Sequence, residues 1–138
     1  MQALQKGVLM KDFDRWNLHK KRIDARPEGR HYKEREIYYL NIGENVGFEQ
    51  NGKGEEFVRP VVVLKRFNRH VFIGIPLSST QKRGKFYFPF SFVEGKESVA
   101  ILSQLRIFDA KRLLNKLGMM KKDDFVKMKE EIKNLLEL

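Results

Sequence analysis

Cysteine is absent from the 138 residues, so neither a disulfide framework nor a thiolate metal site is open to this chain. Histidine is scarce. His19, His31 and His70 stand far apart, and no carboxylate cluster has metal-ligand spacing. A metal-dependent nuclease is therefore disfavoured, and no metal or cofactor is expected. No apolar run approaches the roughly 20 residues of a membrane span, and no signal-peptide pattern opens the chain. A cytoplasmic protein without membrane contact is the expectation. Internal repeats and low-complexity tracts are also missing. What the chain has is basic charge: 28 Lys and Arg against 18 Asp and Glu, a net charge of +10. An excess of that size asks for an anionic partner, whether nucleic acid, acidic protein or membrane surface. Nucleic acid leads, because part of the excess sits in loops between apolar strands. The 41% hydrophobic content suits one globular domain with a real core.

The organising stretch is Phe57 to Thr80. Two β-branched runs, Val61 to Leu64 and Val71 to Ile75, flank the polar tetrad Phe67-Asn68-Arg69-His70, which reads as a β-hairpin with a four-residue loop. Arg66 then pairs with Val71, and every pair of partners sums to 137. Carried outward, the register sets Arg59 opposite Ser78, at strand ends marked by Pro60 and Pro76. Opposed residues share a face with Cβ atoms about 4.5–5.5 Å apart. A guanidinium beside a hydroxyl suits chemistry on a phosphodiester, where arginine's donor fork fits the developing negative charge. The same spacing also suits a surface ion pair for Arg59 and a turn cap for Ser78. A loop of three or five residues would shift the register and separate the two.

The remaining segments are read in order. Lys11 to Ala25 is a helix with Phe13, Trp16 and Ile23 on one stripe. That stripe either packs on the body or, for Trp16, offers a nucleotide-stacking platform. Arg26 to Arg35 is a charged linker in which His31 and Tyr32 are solvated. Glu36 to Ile42 is the first strand. Gly43 to Glu56, with four glycines, is a mobile surface loop but no P-loop, since the Gly-Lys-Ser/Thr ending is missing. Ser78 to Lys85 carries hydroxyls, including Ser79 and Thr80, into Lys82, Arg83 and Lys85. The run suits a solvated turn or a phosphate-tracking one. Phe86 to Phe92 is a strand with a packed aromatic face, and Ser98 to Phe108 is one more strand, bearing Gln104 and Arg106. Asp109 caps a short helix, Ala110 to Leu117, closed by Gly118. A last helix runs from Asp123 to about Leu136, with Phe125, Met128 and Ile132 on its stripe. Five short strands with closing helices describe an α+β chain, mainly β, forming a small antiparallel barrel.

An ordered set of short motifs resembles the MazF/PemK family of toxin endoribonucleases. It comprises Arg35-Glu36-Ile37-Tyr38, Gly47-Phe48-Glu49-Gln50, Arg59-Pro60-Val61-Val62-Val63-Leu64, Ile75-Pro76-Leu77-Ser78-Ser79, Leu102-Ser103-Gln104-Leu105-Arg106, and Asp109 with Arg112-Leu113. No piece is specific alone; their order and spacing carry the resemblance, over Arg35 to Leu136. Residues 1–34 stand as a helical extension and linker, and 35–138 as the barrel domain. The resemblance implies an SH3-like barrel of the CcdB/MazF type, a homodimer, and a cognate antitoxin. It also implies metal-independent cleavage of single-stranded RNA to 2′,3′-cyclic phosphate and 5′-hydroxyl ends. The family's arginine falls on Arg59, its hydroxyl on Ser78 with Ser79 as neighbour, and its acidic residue on Glu49, with Gln50 beside it as an RNA contact. Phe48, Ile101 and Ser103 stand where some members carry a different acid–base set. The alternative is a barrel that binds nucleic acid without cutting it, or a CcdB-like gyrase poison, although the terminal Trp or Gly pair of that group is missing.

Overall fold

The computed structural model describes residues 10–138; residues 1–9, to which the sequence gives no element, lie outside them. The Phe57–Thr80 stretch forms the central hairpin, β2 (Val58–Arg66) and β3 (Val71–Ser78). Around it lie β1 (Glu36–Asn41), β4 (Tyr87–Val93), β5 (Lys96–Ile101), β6 (Arg106–Asp109) and β7 (Leu113–Met119). Helix α1 (Phe13–Asp24) precedes them and α2 (Lys122–Leu136) follows. The sheet order is β4-β5-β3-β2-β1-β7, with β6 also paired to β3. Every pairing among these strands is antiparallel.

Both faces of the hairpin are buried, which is why its strands read as continuous apolar runs rather than as alternation. On one face Val62, Ile75 and Leu77 pack with Ile37, Ala100, Leu102 and Met120, closed by Phe125, Met128 and Ile132 of α2. On the other, Val61, Val63 and Phe72 pack with Tyr32, Tyr38, Leu40 and Phe108. The sheet curls without closing: among the described residues no ladder joins β4 to β7. Side chains meet there instead. Phe92 lies so close to Gly118 that a Cβ at 118 would come within 2.8 Å of the ring.

The expected register holds from Val61 to Val63, for a reason the spacing did not give. Val61, Val62 and Val63 face Pro76, Ile75 and Gly74, the pairing with the expected sum. Beyond an irregularity at Leu64, however, Arg66 faces Phe72 and not Val71. The extra residue is a β-bulge, which absorbs a one-residue slip and restores the outer register.

Three other expectations are corrected. The Ala110–Leu117 helix does not form. Asp109 does cap a turn, accepting from the Lys111 N–H at 2.8 Å, but it is a single 3-10 turn, Ala110–Arg112. The chain then enters β7. Leu113 and Leu117 fit a helical stripe and a strand equally well, and the open edge of β1 decides, pairing Leu40 with Leu113 and Ile37 with Gly118. The Ser98–Phe108 strand is broken by a 3-10 turn at Leu102–Gln104 into β5 and β6, so seven strands stand where five were expected. Tyr32 is not solvated: it is 1% exposed. Its hydroxyl donates to the carbonyls of Asn68 (2.6 Å) and Val71 (3.2 Å), supplying a donor to the hairpin turn.

Helix α1 begins where the Asp12 side chain accepts from the Arg15 N–H at 3.1 Å. Its stripe packs on the body as expected for Trp16 and Ile23, which join Phe57 in a small core of their own. With Trp16 only 5% exposed, its use as a nucleotide platform is excluded. Phe13 falls outside that core and remains exposed.

Candidate functional site

Strand alternation places Arg59 on the side of Val61 and Val63. Ser78 lies on the side of Pro76 and Gly74, the partners of those two valines. Continued outward, that alternation would set Arg59 and Ser78 on one face, although the β2–β3 ladder itself ends at Val61 and Pro76 and Ser78 pairs with Val99 of β5. Arg59 is half-buried, and its guanidinium is held from three directions. Nε donates to the Asn51 carbonyl at 2.7 Å and Nη1 to the Leu77 carbonyl at 3.1 Å. With the Gln50 amide turned oxygen-first, that oxygen accepts from Nη2 at 2.9 Å. Burial lowers the Arg59 pKa, yet arginine stays cationic at any physiological pH. The Ser78 hydroxyl accepts from the Thr80 N–H at 3.1 Å, so it does cap a turn. Its own proton has no acceptor among the hydrogen bonds of the described residues and can be donated outward.

The segment 43–56 supplies two of the groups that hold Arg59, and it is more firmly tied than a mobile loop. Asn45 donates from Nδ2 to the Gln50 carbonyl (2.7 Å), and its backbone N–H donates to Asn51 Oδ1 (2.6 Å). Gly52 N–H reaches the Gly43 carbonyl at 2.8 Å. From outside, Gln104 grips both sides of Glu49: its Nε2 donates to the Phe48 carbonyl and its Oε1 accepts from the Gln50 N–H, each at 2.9 Å. Just ahead of α1, Lys11 adds a further tie, its Nζ donating to the carbonyls of Asn45 (2.6 Å) and Gly47 (2.8 Å).

The predicted residues thus fall into four groups. Arg59 and Gln50 come together, while the ladder that would set Ser78 opposite Arg59 ends at Val61 and Pro76. Glu49 sits one step away, in a cleft lined by Asn45, Gln50, Ser103, Gln104, Leu105 and Arg106. Among the described residues no ion pair joins it to Arg59. Ser79 lines a separate, larger cleft with Arg59, Pro60, Leu77 and Gln81. The basic turn is exposed and partly self-satisfied. Arg83 pairs with Glu97 at 3.2 Å, and the ammonium groups of Lys82 and Lys85 lie over Tyr87 and Phe86 at 5.6 and 5.3 Å. Thr80 contributes its backbone N–H to the Ser78 cap.

Sequence reasoning missed Asn51, Gln104 and Arg106 as members of this neighbourhood. Arg106 stacks over Phe108 at 4.7 Å. Burial lowers its pKa while the nearby Glu49 carboxylate opposes that shift. Gln104 and Arg106 stood in the motif set, but nothing in their spacing tells that a 3-10 turn would aim them at a loop more than fifty residues earlier in the chain.

Similarity to known proteins runs in the same direction. No curated protein matches the sequence. Solved structures do match in fold. A MazF of Deinococcus radiodurans aligns at 19% identity over 78% of this chain and 97% of its own, with a TM-score of 0.63. The Mycobacterium tuberculosis toxin MazF-mt6 aligns at 16% identity over 75% and 98%, TM-score 0.59. A MazE-MazF complex of D. radiodurans aligns at 18% identity over 78% and 96%, TM-score 0.60. At such identities the likeness is one of fold. A sequence profile settles the family. That of the PemK-like, MazF-like toxins of type II toxin-antitoxin systems matches residues 33–136, from just before β1 to the end of α2. The chain belongs to the family of PemK-like, MazF-like toxins of type II toxin-antitoxin systems.

Proposed function

We propose that this toxin is a metal-independent endoribonuclease that cuts single-stranded RNA. The observation that carries the reading is Arg59, a half-buried guanidinium oriented by Asn51, Leu77 and Gln50; Ser78, at the end of the neighbouring strand, is taken to share its face by strand alternation. In the proposed reaction the ribose 2′-hydroxyl attacks the adjacent phosphate and the 5′-oxygen leaves. The products carry a 2′,3′-cyclic phosphate and a 5′-hydroxyl. Arg59 stabilises the pentacoordinate state, and a donor so placed contributes roughly 3–4 kcal/mol. Its fixed orientation matters, because a preorganised charge needs no rearrangement as the transition state forms. Ser78 donates its proton to a phosphate oxygen and so positions it; an unperturbed hydroxyl is a poor base. Glu49, the one carboxylate lining the Gln50–Arg106 cleft, is assigned the 2′-hydroxyl proton, and the departing 5′-oxygen takes its proton from solvent water. Lys82, Arg83 and Lys85 hold the flanking backbone by charge, a contact that weakens as salt rises.

The partners proposed are a cognate antitoxin and a second copy of the chain. A net charge of +10 suits an antitoxin segment rich in carboxylates, since complementary potential speeds and orients association. The test uses purified protein with a long single-stranded RNA in EDTA. The wild type cleaves, and folded Arg59→Ala cleaves roughly 100- to 1000-fold more slowly. A wild type without activity, or an Arg59→Ala variant as active as the wild type, overturns the proposal. RNA binding that survives without any cutting points to a passive barrel.

A further inference from the structure

Phe48 is completely exposed, at 100%; no other large hydrophobic residue among those described reaches that value. Apolar rings are commonly sheltered, and a fully presented one on a polar loop calls for a ligand. The ring is also held on a braced backbone. Gln104 Nε2 donates to the Phe48 carbonyl at 2.9 Å, and its Oε1 accepts from the Gln50 N–H at the same distance. Lys11 fixes the preceding carbonyl, that of Gly47, at 2.8 Å. The backbone of the platform is therefore fixed before a ligand arrives, and the ring's own rotation is what a ligand has to order.

Beside it opens a cleft of about 460 Å³ whose walls are polar: the Glu49 carboxylate, the Asn45, Gln50 and Gln104 amides, the Ser103 hydroxyl and the Arg106 guanidinium. The Gln104 amide and Asn45 Nδ2 are already spent on the loop, which leaves the Ser103 hydroxyl and the Arg106 guanidinium to meet a ligand. A phosphate is poorly suited, since it offers the Phe48 ring no face to stack on. An apolar side chain of a partner protein is poorly suited too, since it would desolvate those polar walls without pairing them. A nucleobase matches both halves of the arrangement, a flat face to stack and an edge to hydrogen-bond. We propose that Phe48 is the stacking platform for an unpaired base of the RNA strand, and that Ser103 and Arg106 of the adjoining cleft read that base's edge. The inference rests on the ribonuclease reading. Gln50 lines this cleft and also contacts Arg59, which puts the stacked base next to the scissile linkage. Phe48 then helps determine which sequence is cut.

The experiment compares wild type with Phe48→Ala, Phe48→Leu and Phe48→Trp. Binding is read by fluorescence anisotropy on a single-stranded RNA whose 2′-hydroxyls are methylated, so that it cannot be cut, and cleavage on the unmodified strand. Alanine and leucine are expected to weaken binding roughly 5- to 100-fold, the range for loss of one base–aromatic stack, and tryptophan to restore it. All three melt within about a degree of wild type, because the ring is fully exposed. Leucine equal to wild type shows an apolar contact in place of a stack and overturns the inference alone, as does alanine equal to wild type, provided the wild type binds and cuts RNA. A wild type that neither binds nor cuts RNA overturns the ribonuclease reading and this inference with it.

Discussion

Gly43→Ala is the substitution that best tests how α1 is joined to the site. Gly43 has φ of +96°, and a Cβ there would lie 2.3 Å from two atoms of the Trp16 indole. The indole has nowhere to go. It is 5% exposed, with Phe57 at 5.4 Å on one side and the Arg112 guanidinium at 5.8 Å on another. The backbone is also restrained, because the N–H groups of Ile42 and Gly43 both donate to the Phe57 carbonyl. Two costs follow. A side chain in the left-handed region costs about 1–2 kcal/mol. Overpacking against Trp16 adds about 1–3 kcal/mol. The sum is about 2–5 kcal/mol, a large share of the stability of a small domain. Only the second cost depends on Trp16, so in a Trp16→Ala background Gly43→Ala should cost only about 1–2 kcal/mol. Urea denaturation of the four proteins, at matched m-values, gives the coupling. A coupling of about 1–3 kcal/mol is expected. Additivity to within about 0.5 kcal/mol would show that Trp16 does not rest on Gly43. It would also remove the mechanical link from α1 to the loop that holds Arg59.

Further outcomes follow from individual contacts. Glu36 is 8% exposed and accepts from Lys116 Nζ (2.8 Å), the Lys33 N–H (2.6 Å) and the Tyr38 hydroxyl (2.9 Å). Burial alone would raise its pKa, but those three donors together hold it below the usual value, while burial and the same contact push Tyr38 up to about 12. A carboxyl lowered on folding stabilises the native state above its unfolded pKa, near about 4.3, and the contribution fades as pH falls through the folded value. Glu36→Gln should therefore cost about 1.5–3 kcal/mol at pH 7, and the gap from wild type should shrink below about pH 4. A gap independent of pH in urea titrations would refute this. At the site, Ser78→Thr should keep most cleavage activity, since the hydroxyl and the strand position survive, and Ser78→Ala should lose it roughly tenfold or more. Equal rates for alanine and threonine in the EDTA assay would remove Ser78 from the mechanism.

How much of this was legible in the sequence depended on distance along the chain. The hairpin, α1 and α2 were readable because their signals are local: β-branched runs, a turn tetrad, and an apolar stripe with acids at the start. The register of Val61 to Val63 against Pro76 to Gly74 was readable for the same reason, although it survived only because the bulge at Leu64 cancelled a slip at the turn. β7 was misread because Leu113 and Leu117 serve either period, and the deciding fact, an open edge on β1, lies more than seventy residues earlier. Tyr32 was misread because its acceptors, Asn68 and Val71, are carbonyls of a remote turn. The grip of Gln104 on the Phe48–Gln50 segment had no local signature, since an amide that braces a loop looks in sequence like any surface glutamine.

The central claim is that Arg59 stabilises attack by a ribose oxygen on its own phosphate. The direct measurement is mass spectrometry of the RNA fragments released by the pure protein in EDTA. The account predicts 2′,3′-cyclic phosphates on the upstream fragments and 5′-hydroxyls on the downstream ones, with no cut where the scissile ribose lacks its 2′-hydroxyl. Fragments ending in a 3′-hydroxyl and a 5′-phosphate, or cutting that persists at a 2′-deoxy position, would contradict it.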